Sequence, residues 1–559
     1  MRILKNKGKL ILLGNEAIIR GALESGVKFV STYPGTPASE IGNTMSYIAQ
    51  KAGVYFEFST NEKVAMEAAA GASFSGLRSL VAMKNFGLNV ASDFLLPLVY
   101  SGIKGGMVIV VADDPGCSSS AQSEQDSRAL SLSANIPTLT PATPQECKDF
   151  TKFAFEISEK YKIPVMLQTT TRVALQSGIV SLNKIARPRK KAKFIKEPHR
   201  FVTMPPRVLE MKKEVLEKIK KIQNEYSEKS LLNKVSGGCH SSPNSKEKEV
   251  SKSSEIGIIT SGVSYLYAKE SLKELKLDLP VLKLAFFNPL PEEKIKRFIN
   301  PPAGGLKKVL VIEELEPYLE REVERFAREV NPKLQIFGKN LLPWVGEFKP
   351  EYVTGAVAKV AEKKWGVSQP KLPVFPKRFP QLCPGCPYWF VFQGIKKAVN
   401  EREVIFGGEI GCYMLAGLPP HHLQDYLYCM GSSIGIAHGI KKTTNQKLIT
   451  FVGDSSFFHA GIPALINTVY NKSNPLIIIM DNKSTAMTGH QPHPGVGKTG
   501  MGEKTTAIKI EALVRACGVR NLKIIDPINQ KDFIKTVKEF LEKKEVSVII
   551  ARRPCIFVK

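Results

Sequence analysis

Short apolar runs alternate along the first third of the chain with longer stretches whose apolar positions recur at helical spacing. Leu10-Ile11-Leu12-Leu13, Phe29-Val30 and Met107-Val108-Ile109-Val110-Val111 are the clearest runs. A βα succession of this kind implies a parallel sheet, predicted here for a first domain over residues 1–180. Residues 181–255 shift to Lys, Glu, Ser and Asn. Within them MKKEVLEKIKKIQNEY has a helical pattern, and VSGGCHSSPNSKEKEVSKSSE reads as a flexible linker. The βα style returns over 256–366, with Ile256–Gly262 and KKVLVIEELEPYLE. It continues over 375–559, where Leu448–Val452 and Pro475–Met480 are apolar enough for buried parallel strands. The pattern predicts an α/β protein of three parallel-sheet domains joined by linkers, with no fixed-period repeat.

A chain of 559 residues has room for several such cores. No apolar run approaches the roughly 18 residues of a membrane span, and the opening MRILKNKGKLILLGNE is too charged for a signal peptide. A cytoplasmic protein without membrane association is expected. The formal net charge is +27, and residues 181–255 contribute heavily, with 19 Lys/Arg against 9 Asp/Glu. RPRKKAKFIK raises nucleic-acid binding as one reading. The segment has few aromatics and no RNA- or DNA-binding module, so a basic surface for an acidic protein or a phosphate-bearing ligand is preferred. Nine scattered cysteines lack the pattern of a secreted scaffold, which leaves metal ligation or core filling as their uses.

The candidate chemistry begins where two of these strands end. Leu448–Val452 runs into Gly453-Asp454-Ser455-Ser456, and Pro475–Met480 runs into Asp481-Asn482-Lys483-Ser484. Open α/β sheets bind ligands at the carboxyl ends of their strands, so neighbouring strands would deliver Asp454 and Asn482 to one crevice. Hard oxygen donors in that arrangement suit Mg²⁺ bridging to phosphate. Gly453, Ser455, Ser456 and the following helix N-terminus offer backbone NH groups to the phosphate oxygens. An ordinary strand-turn-helix with a capping Asp accounts for GDSS alone. The pair resembles the diphosphate-metal motif of thiamine diphosphate enzymes, GDG followed by DN or NN after a further helix and strand. That resemblance implies Asp454, the Asn482 side chain and the Ser484 carbonyl as metal ligands.

Such a cofactor becomes nucleophilic only after losing a ring proton, so an acid in a dry pocket must bond its aminopyrimidine. In STNEKVAMEAAAGASFSG, Glu62 stands before a helix of small residues, which resembles the arrangement in which thiamine enzymes carry their activating Glu; Glu67 is the second candidate. An exposed first-turn Glu favoured by the helix dipole is the plain structural alternative. Upstream, YPGTPASEI offers backbone donors and the Thr36 hydroxyl at a helix start, apt for a carboxylate or keto oxygen. Thr36 as a cap and Pro37 at the first helical position explain the same string.

Together YPGTPASEI, MKNFGLNVASD, VVADDPGCSSSAQSEQDSR, LCPGCPY, GEIGCY, CMGSSIGIAHG and GDSSFFHAG with DNKSTAMTGHQPHPG resemble, in order and over residues 9–555, the large subunit of indolepyruvate ferredoxin oxidoreductase. The resemblance implies two thiamine-diphosphate-binding folds, of pyrimidine and diphosphate type, and a transketolase C-terminal-like domain between them. It implies oxidative decarboxylation of arylpyruvates such as indolepyruvate and phenylpyruvate with CoA, giving acyl-CoA, CO₂ and reduced ferredoxin. It also implies a small beta subunit as partner in a heterotetramer, catalytic roles for Glu62 and Thr36, and Gly431 among the cofactor contacts.

Passing two electrons to one-electron carriers calls for a cluster. Cys383 and Cys386 form a CxxC pair, Cys412 follows in GEIGC, and Cys555 stands in RRPCIF; four thiolates are the complement of one [4Fe-4S] cluster. Zinc, redox and plain turn readings of CxxC compete, and Cys429 is the reserve ligand. The family's large subunit usually continues into a ferredoxin-like domain with CxxCxxCxxxCP runs. This sequence contains no such run, so electrons are expected to leave through a partner chain or external carrier. Asn85 and Tyr388 stand where the family pattern has His, which bears on substrate preference and proton handling. A non-oxidative thiamine decarboxylase or carboligase competes with this reading, and a basic, non-catalytic binding protein on an old enzyme fold is the remote alternative.

Overall fold

The computed structural model describes residues 2–119, 122–187, 192–241, 248–250, 254–301, 304–366, 376 and 379–558. Residues 188–191 of the basic run and 242–247 and 251–253 of the expected linker lie outside the described residues. The chain divides into two units, Met1–Phe56 with Glu62–Lys371, and Glu57–Asn61 with Leu372–Lys559.

The first unit holds a seven-stranded sheet. Its order is Phe286–Asn288, Thr138–Leu139, Val165–Thr170, Met107–Asp113, Ser79–Lys84, Phe29–Thr32, Tyr55–Phe58. Pairings from Thr138–Leu139 through Phe29–Thr32 are parallel, and Phe286–Asn288 joins antiparallel. Met107–Asp113 is buried along its whole length, as a strand covered on both faces must be. Leu10–Leu13 departs from the expected parallel strand: Gly8–Leu13 pairs antiparallel with Ser177–Leu182 in a separate two-stranded sheet. Only Leu12 of this strand is buried and Ile11 is 73% exposed, so it lacks the two covered faces a central parallel strand needs.

A five-stranded sheet in the same unit runs Gln335–Phe337, Lys308–Ile312, Ile256–Ser261, Val281–Leu284, Lys234–Ser236. Its last pairing is antiparallel and the others parallel. The helical pattern near 211–226 forms Arg207–Ile222, which buries Met211, Val215 and Ile222 on one face and leaves Lys213, Lys220 and Lys221 exposed.

The second unit is a six-stranded, wholly parallel sheet in the order Tyr426–Leu427, Val404–Gly408, Lys447–Gly453, Leu476–Asp481, Ser547–Arg552, Asn521–Ile525. Phe451, Ile478 and Ile549 face one core with Phe392 and Phe533, while Val452, Ile477 and Ile550 face another with Phe457 and Leu465. Truncating Ile478 to Ala would cost about 2–5 kcal/mol, the range for a fully buried aliphatic side chain. Among the described residues no helix is long and apolar enough to cross a membrane.

Candidate active site

Gly453 pairs in register with Met480, so the two strands end side by side and release Asp454 and Asn482 at adjacent positions. Asp454 opens a helical segment that passes through a π turn at Phe457–Gly461 into Ile462–Tyr470. It is not the cap of that segment, since Gly453 occupies the cap position. Its carboxylate is 2% exposed and well furnished with donors: the Ser455 NH at 2.8 Å on Oδ1, and on Oδ2 the Lys483 NH at 2.8 Å and His493 Nε2 at 3.1 Å. Asn482 turns its Oδ1 to the Ser484 NH at 3.0 Å, and the Thr485 hydroxyl donates to Ser455 Oγ at 2.9 Å. Buried oxygen donors at the carboxyl ends of two parallel strands fit a hard divalent cation bridging to phosphate.

A second buried carboxylate stands beside this corner. Glu409 of GEIGCY accepts the Tyr413 hydroxyl at 2.5 Å on Oε1 and the Gly431 NH on Oε2. Burial pushes its carboxyl up to about 7, against the lowering effects of hydrogen bonds from Tyr413, Ser456 and Gly431 and of the nearby His459. Gly431 has a φ of 79° and caps the Ser432–Thr443 helix. A Cβ there would lie 2.7 Å from Ala460, so a side chain is excluded. Its NH is therefore engaged by Glu409. Ser456 donates its hydroxyl to the Ile410 carbonyl at 3.3 Å.

In the expected quartet, the sulfurs of Cys383 and Cys555 act on both Cys386 and Cys412. Burial pushes the Cys412 thiol up to about 12, and the sulfur charges of Cys386, Cys555 and Cys383 push it in the same direction. Cys386 is raised to about 11 by burial, with Cys383 and Cys555 adding to the shift against a hydrogen bond from the Tyr388 NH. A bound iron–sulfur cluster would favour the Cys386 and Cys412 thiols as thiolates against the burial and neighbouring sulfurs that oppose their ionisation. The eight cysteines whose side chains are described are free, and among the described residues no three His, Cys, Asp or Glu side chains converge on one metal position. Cys429 is exposed in the turn before Gly431. Tyr388 is buried and donates its hydroxyl to the Met480 carbonyl at 3.2 Å, so its ring spans from the CxxC turn to the strand that ends at Asp481.

In the first unit Glu62 is the first residue of the Glu62–Phe74 helix and is 5% exposed. Its side chain lies against Gly87 in the Asn85–Ser101 helix. A Cβ on Gly87 would come within 2.5 Å of Glu62 Cγ and 2.8 Å of Oε1. Glu67 is half-exposed and pairs with Lys63 one turn away, the ordinary fate of a surface helix acid. Lys84 stands nearby; burial lowers its ammonium group, against the charges of Asp114, Glu62 and Cys117. Asn85 is fully buried, with Oδ1 on the Phe86 NH and no partner for Nδ2 among the described residues. A buried donor left open at the start of the helix whose Gly87 faces Glu62 fits a site that receives a polar ligand. The helix after PGTP begins at Ser39 with Ala38 as its cap, two residues later than a Thr36 cap requires. The Thr36 hydroxyl instead lies 3.4 Å from Ser39 Oγ, and its carbonyl accepts from the Ser119 hydroxyl at 3.2 Å.

Residues 20–230 match the family described as "Pyruvate flavodoxin/ferredoxin oxidoreductase, thiamine diP-bdg". Residues 409–551 match "Thiamine pyrophosphate enzyme, C-terminal TPP binding domain". These matched regions define a thiamine-diphosphate-dependent oxidoreductase of mixed α/β architecture. The chain is 43% identical over 555 residues to indolepyruvate oxidoreductase subunit IorA of Methanothermobacter thermautotrophicus, covering 98% of this chain and 87% of that protein. It is 42% identical over 581 residues to the Pyrococcus horikoshii subunit of that name, and 40% identical over 565 residues to that of Archaeoglobus fulgidus. Each of these covers 98% of this chain and 86% of the relative. The chain belongs to the family of indolepyruvate oxidoreductase subunit IorA.

Three residues of this site carry no role from sequence reasoning alone: His493, Glu409 and Tyr413. GHQPHPG and GEIGCY were conspicuous strings, but a lone polar residue in a motif does not announce which strand end it will meet.

Proposed function

We propose that this chain is the catalytic large subunit of a 2-oxoacid oxidoreductase that decarboxylates arylpyruvates oxidatively with CoA, forming acyl-CoA and CO₂ and reducing ferredoxin. A smaller beta subunit completes it, in a heterotetramer, and a reducing cytoplasmic setting keeps the cysteines available as ligands. Residues 1–180 and 375–559 serve as the pyrimidine-type and diphosphate-type domains, with 256–366 as the transketolase C-terminal-like domain and 181–255 between them. The indolepyruvate oxidoreductase activity for which the IorA relatives are named supports the substrate class. The observation that supports the oxidative reading is that Cys383 and Cys555 both act on the buried thiols of Cys386 and Cys412, in the unit that also holds the Asp454–Asn482 corner. A non-oxidative decarboxylase has no use for a thiol quartet at that place.

Asp454, the Asn482 side chain and the Ser484 carbonyl hold Mg²⁺. The Gly453–Ser456 corner offers backbone donors to the diphosphate, with Gly431 shaping the neighbouring turn. Cys383, Cys386, Cys412 and Cys555 hold one [4Fe-4S] cluster. When bound, thiamine diphosphate supplies a carbon nucleophile for the oxo group and a sink for the electrons released as CO₂ departs. Glu62 keeps a carboxyl in a nearly closed pocket, where it orients the aminopyrimidine and manages the proton that must leave before the nucleophile exists. Gly87 leaves the space that side chain occupies. Thr36, released from helix capping, has a hydroxyl available to orient an oxo or carboxylate oxygen.

Product analysis tests the reading. Supplied with oxidised ferredoxin as electron acceptor, the anaerobically purified enzyme with its small subunit should convert indolepyruvate and CoA into indoleacetyl-CoA and CO₂ in equal amounts while the ferredoxin is reduced. Aldehyde as the main product, formed without CoA, would instead establish a non-oxidative decarboxylase.

A further inference from the structure

We propose that His493 is a positioning residue that fixes the Asp454 carboxylate for its divalent cation, and that metal affinity in this chain depends on it. The proposal rests on the reading of the Asp454–Asn482 corner as a metal site. His493 lies 39 positions beyond Asp454, in GHQPHPG, and the two side chains are 7% and 2% exposed.

The chain returns to Asp454 through a loop that bonds to itself. The Thr485 NH donates to the Gln491 carbonyl at 3.0 Å, and the Gln491 side chain exchanges two bonds of 2.7 Å with Thr488. This closure sets down Pro492-His493-Pro494-Gly495 against the helix that begins at Asp454. The His493 ring lies 5.6 Å from the Phe458 ring of that helix. A Cβ at Gly495 would sit 2.9 Å from His493 Cε1 and 3.1 Å from Phe458, so this packing requires glycine.

The ring's hydrogen-bond roles follow from its two nitrogens. Nδ1 accepts from the Gly495 NH at 3.1 Å, a donor that cannot reverse, so the neutral ring carries its hydrogen on Nε2. Nε2 then donates to Asp454 Oδ2 at 3.1 Å. Oδ2 already accepts the Lys483 NH at 2.8 Å, so two donors use its in-plane lone pairs. Among the described residues Oδ1 accepts only the Ser455 NH, at 2.8 Å, and keeps a lone pair for a cation. Outer donors of this kind orient a metal ligand, and their loss typically costs about 10- to 100-fold in metal affinity.

The test uses the full oxidoreductase, both subunits present, freed of metal and titrated with Mn²⁺ at saturating thiamine diphosphate; free Mn²⁺ is read by electron paramagnetic resonance. His493→Ala should raise the Mn²⁺ dissociation constant about 10- to 100-fold. His493→Gln, whose amide places an N–H near the position of Nε2, should recover most of that loss. If the alanine variant is insoluble, His493→Asn, whose amide is too short to reach Asp454, carries the same expectation as alanine. Unchanged Mn²⁺ affinity in the alanine or asparagine variant, with only a lowered melting temperature, would reduce His493 to packing and overturn the proposal. Wild-type enzyme that binds no Mn²⁺ in the presence of thiamine diphosphate would overturn the metal-site reading itself, a separate failure.

Discussion

The backbone NH of Cys555 donates to the carbonyl of Asn482 at 2.9 Å, and the neighbouring Arg553 NH donates to the Asp481 carbonyl at 3.1 Å. The last cysteine of the quartet is thereby tied to the loop that carries a proposed metal ligand. Arg552 strengthens the tie, with Nε on Asp481 Oδ2 at 2.6 Å and its other nitrogens on Glu511. Two short parallel strands, Leu476–Asp481 and Ser547–Arg552, thus deliver the proposed cation site and one thiol to the same edge of one sheet.

Replacing Cys412 by Ser removes one thiol of the quartet without touching the Asp454 corner. Iron content should fall sharply, and acceptor reduction by roughly a hundredfold or more, because a [4Fe-4S] cluster needs four thiolates. Thiamine diphosphate affinity should stay within a few-fold of wild type. Iron analysis and calorimetric cofactor titration check both halves, and a fully active Cys412→Ser enzyme would remove this residue from the electron path.

Glu62→Gln keeps the size of the side chain and removes its acidity. Turnover should fall about 10²- to 10⁴-fold, the usual worth of a positioned acid or base, with the melting temperature little changed. Gly87→Ala should act on the same function from the neighbouring helix, since the added methyl would lie 2.5 Å from Glu62 Cγ. Steady-state rates at saturating cofactor distinguish these effects from weakened binding. Wild-type turnover in Glu62→Gln would end its assignment.

The strand ends of the cofactor corner were legible in the residues. LITFVG and PLIIIMD are continuously apolar because strands covered on both faces must be, and each stops at an acidic, flexible pair. The partner of Gly8–Leu13 was not legible, because it lies near residue 180 and nothing local specifies pairing over that distance. Phe286–Asn288 is three residues long and joins a sheet formed mainly by the first 170 residues. The helix start after PGTP moved to Ser39, since cap signals fix such boundaries only to within a residue or two. Glu409 and His493 escaped for a common reason: their roles reside in partners 22 and 39 positions away.

Glu409 predicts a pH dependence of stability. Burial raises its carboxyl from 4.5 to about 7, so the folded state binds that proton more tightly than the unfolded chain. Its contribution is complete below 4.5 and is lost as pH rises through about 7. In the cofactor-free protein, denaturant unfolding should show a loss of about 1 kcal/mol from this group between roughly pH 6 and 8. Asp113 and Glu314, also pushed up by burial, give the wild type a background of the same sign. The informative quantity is therefore the difference between wild type and Glu409→Gln, which should have the flatter profile. Parallel profiles would mean that Glu409 is ionised at no extra cost.

The most direct test of the oxidative account is anaerobic reduction of a viologen dye by the co-purified large and small subunits, with indolepyruvate or phenylpyruvate as donor, with and without CoA. Reduction that requires both the oxoacid and CoA, and that disappears in the Cys412→Ser enzyme, is the predicted result. Consumption of the oxoacid with no dye reduction, whether or not CoA is present, would contradict it and leave the cysteine quartet without an electron-transfer role.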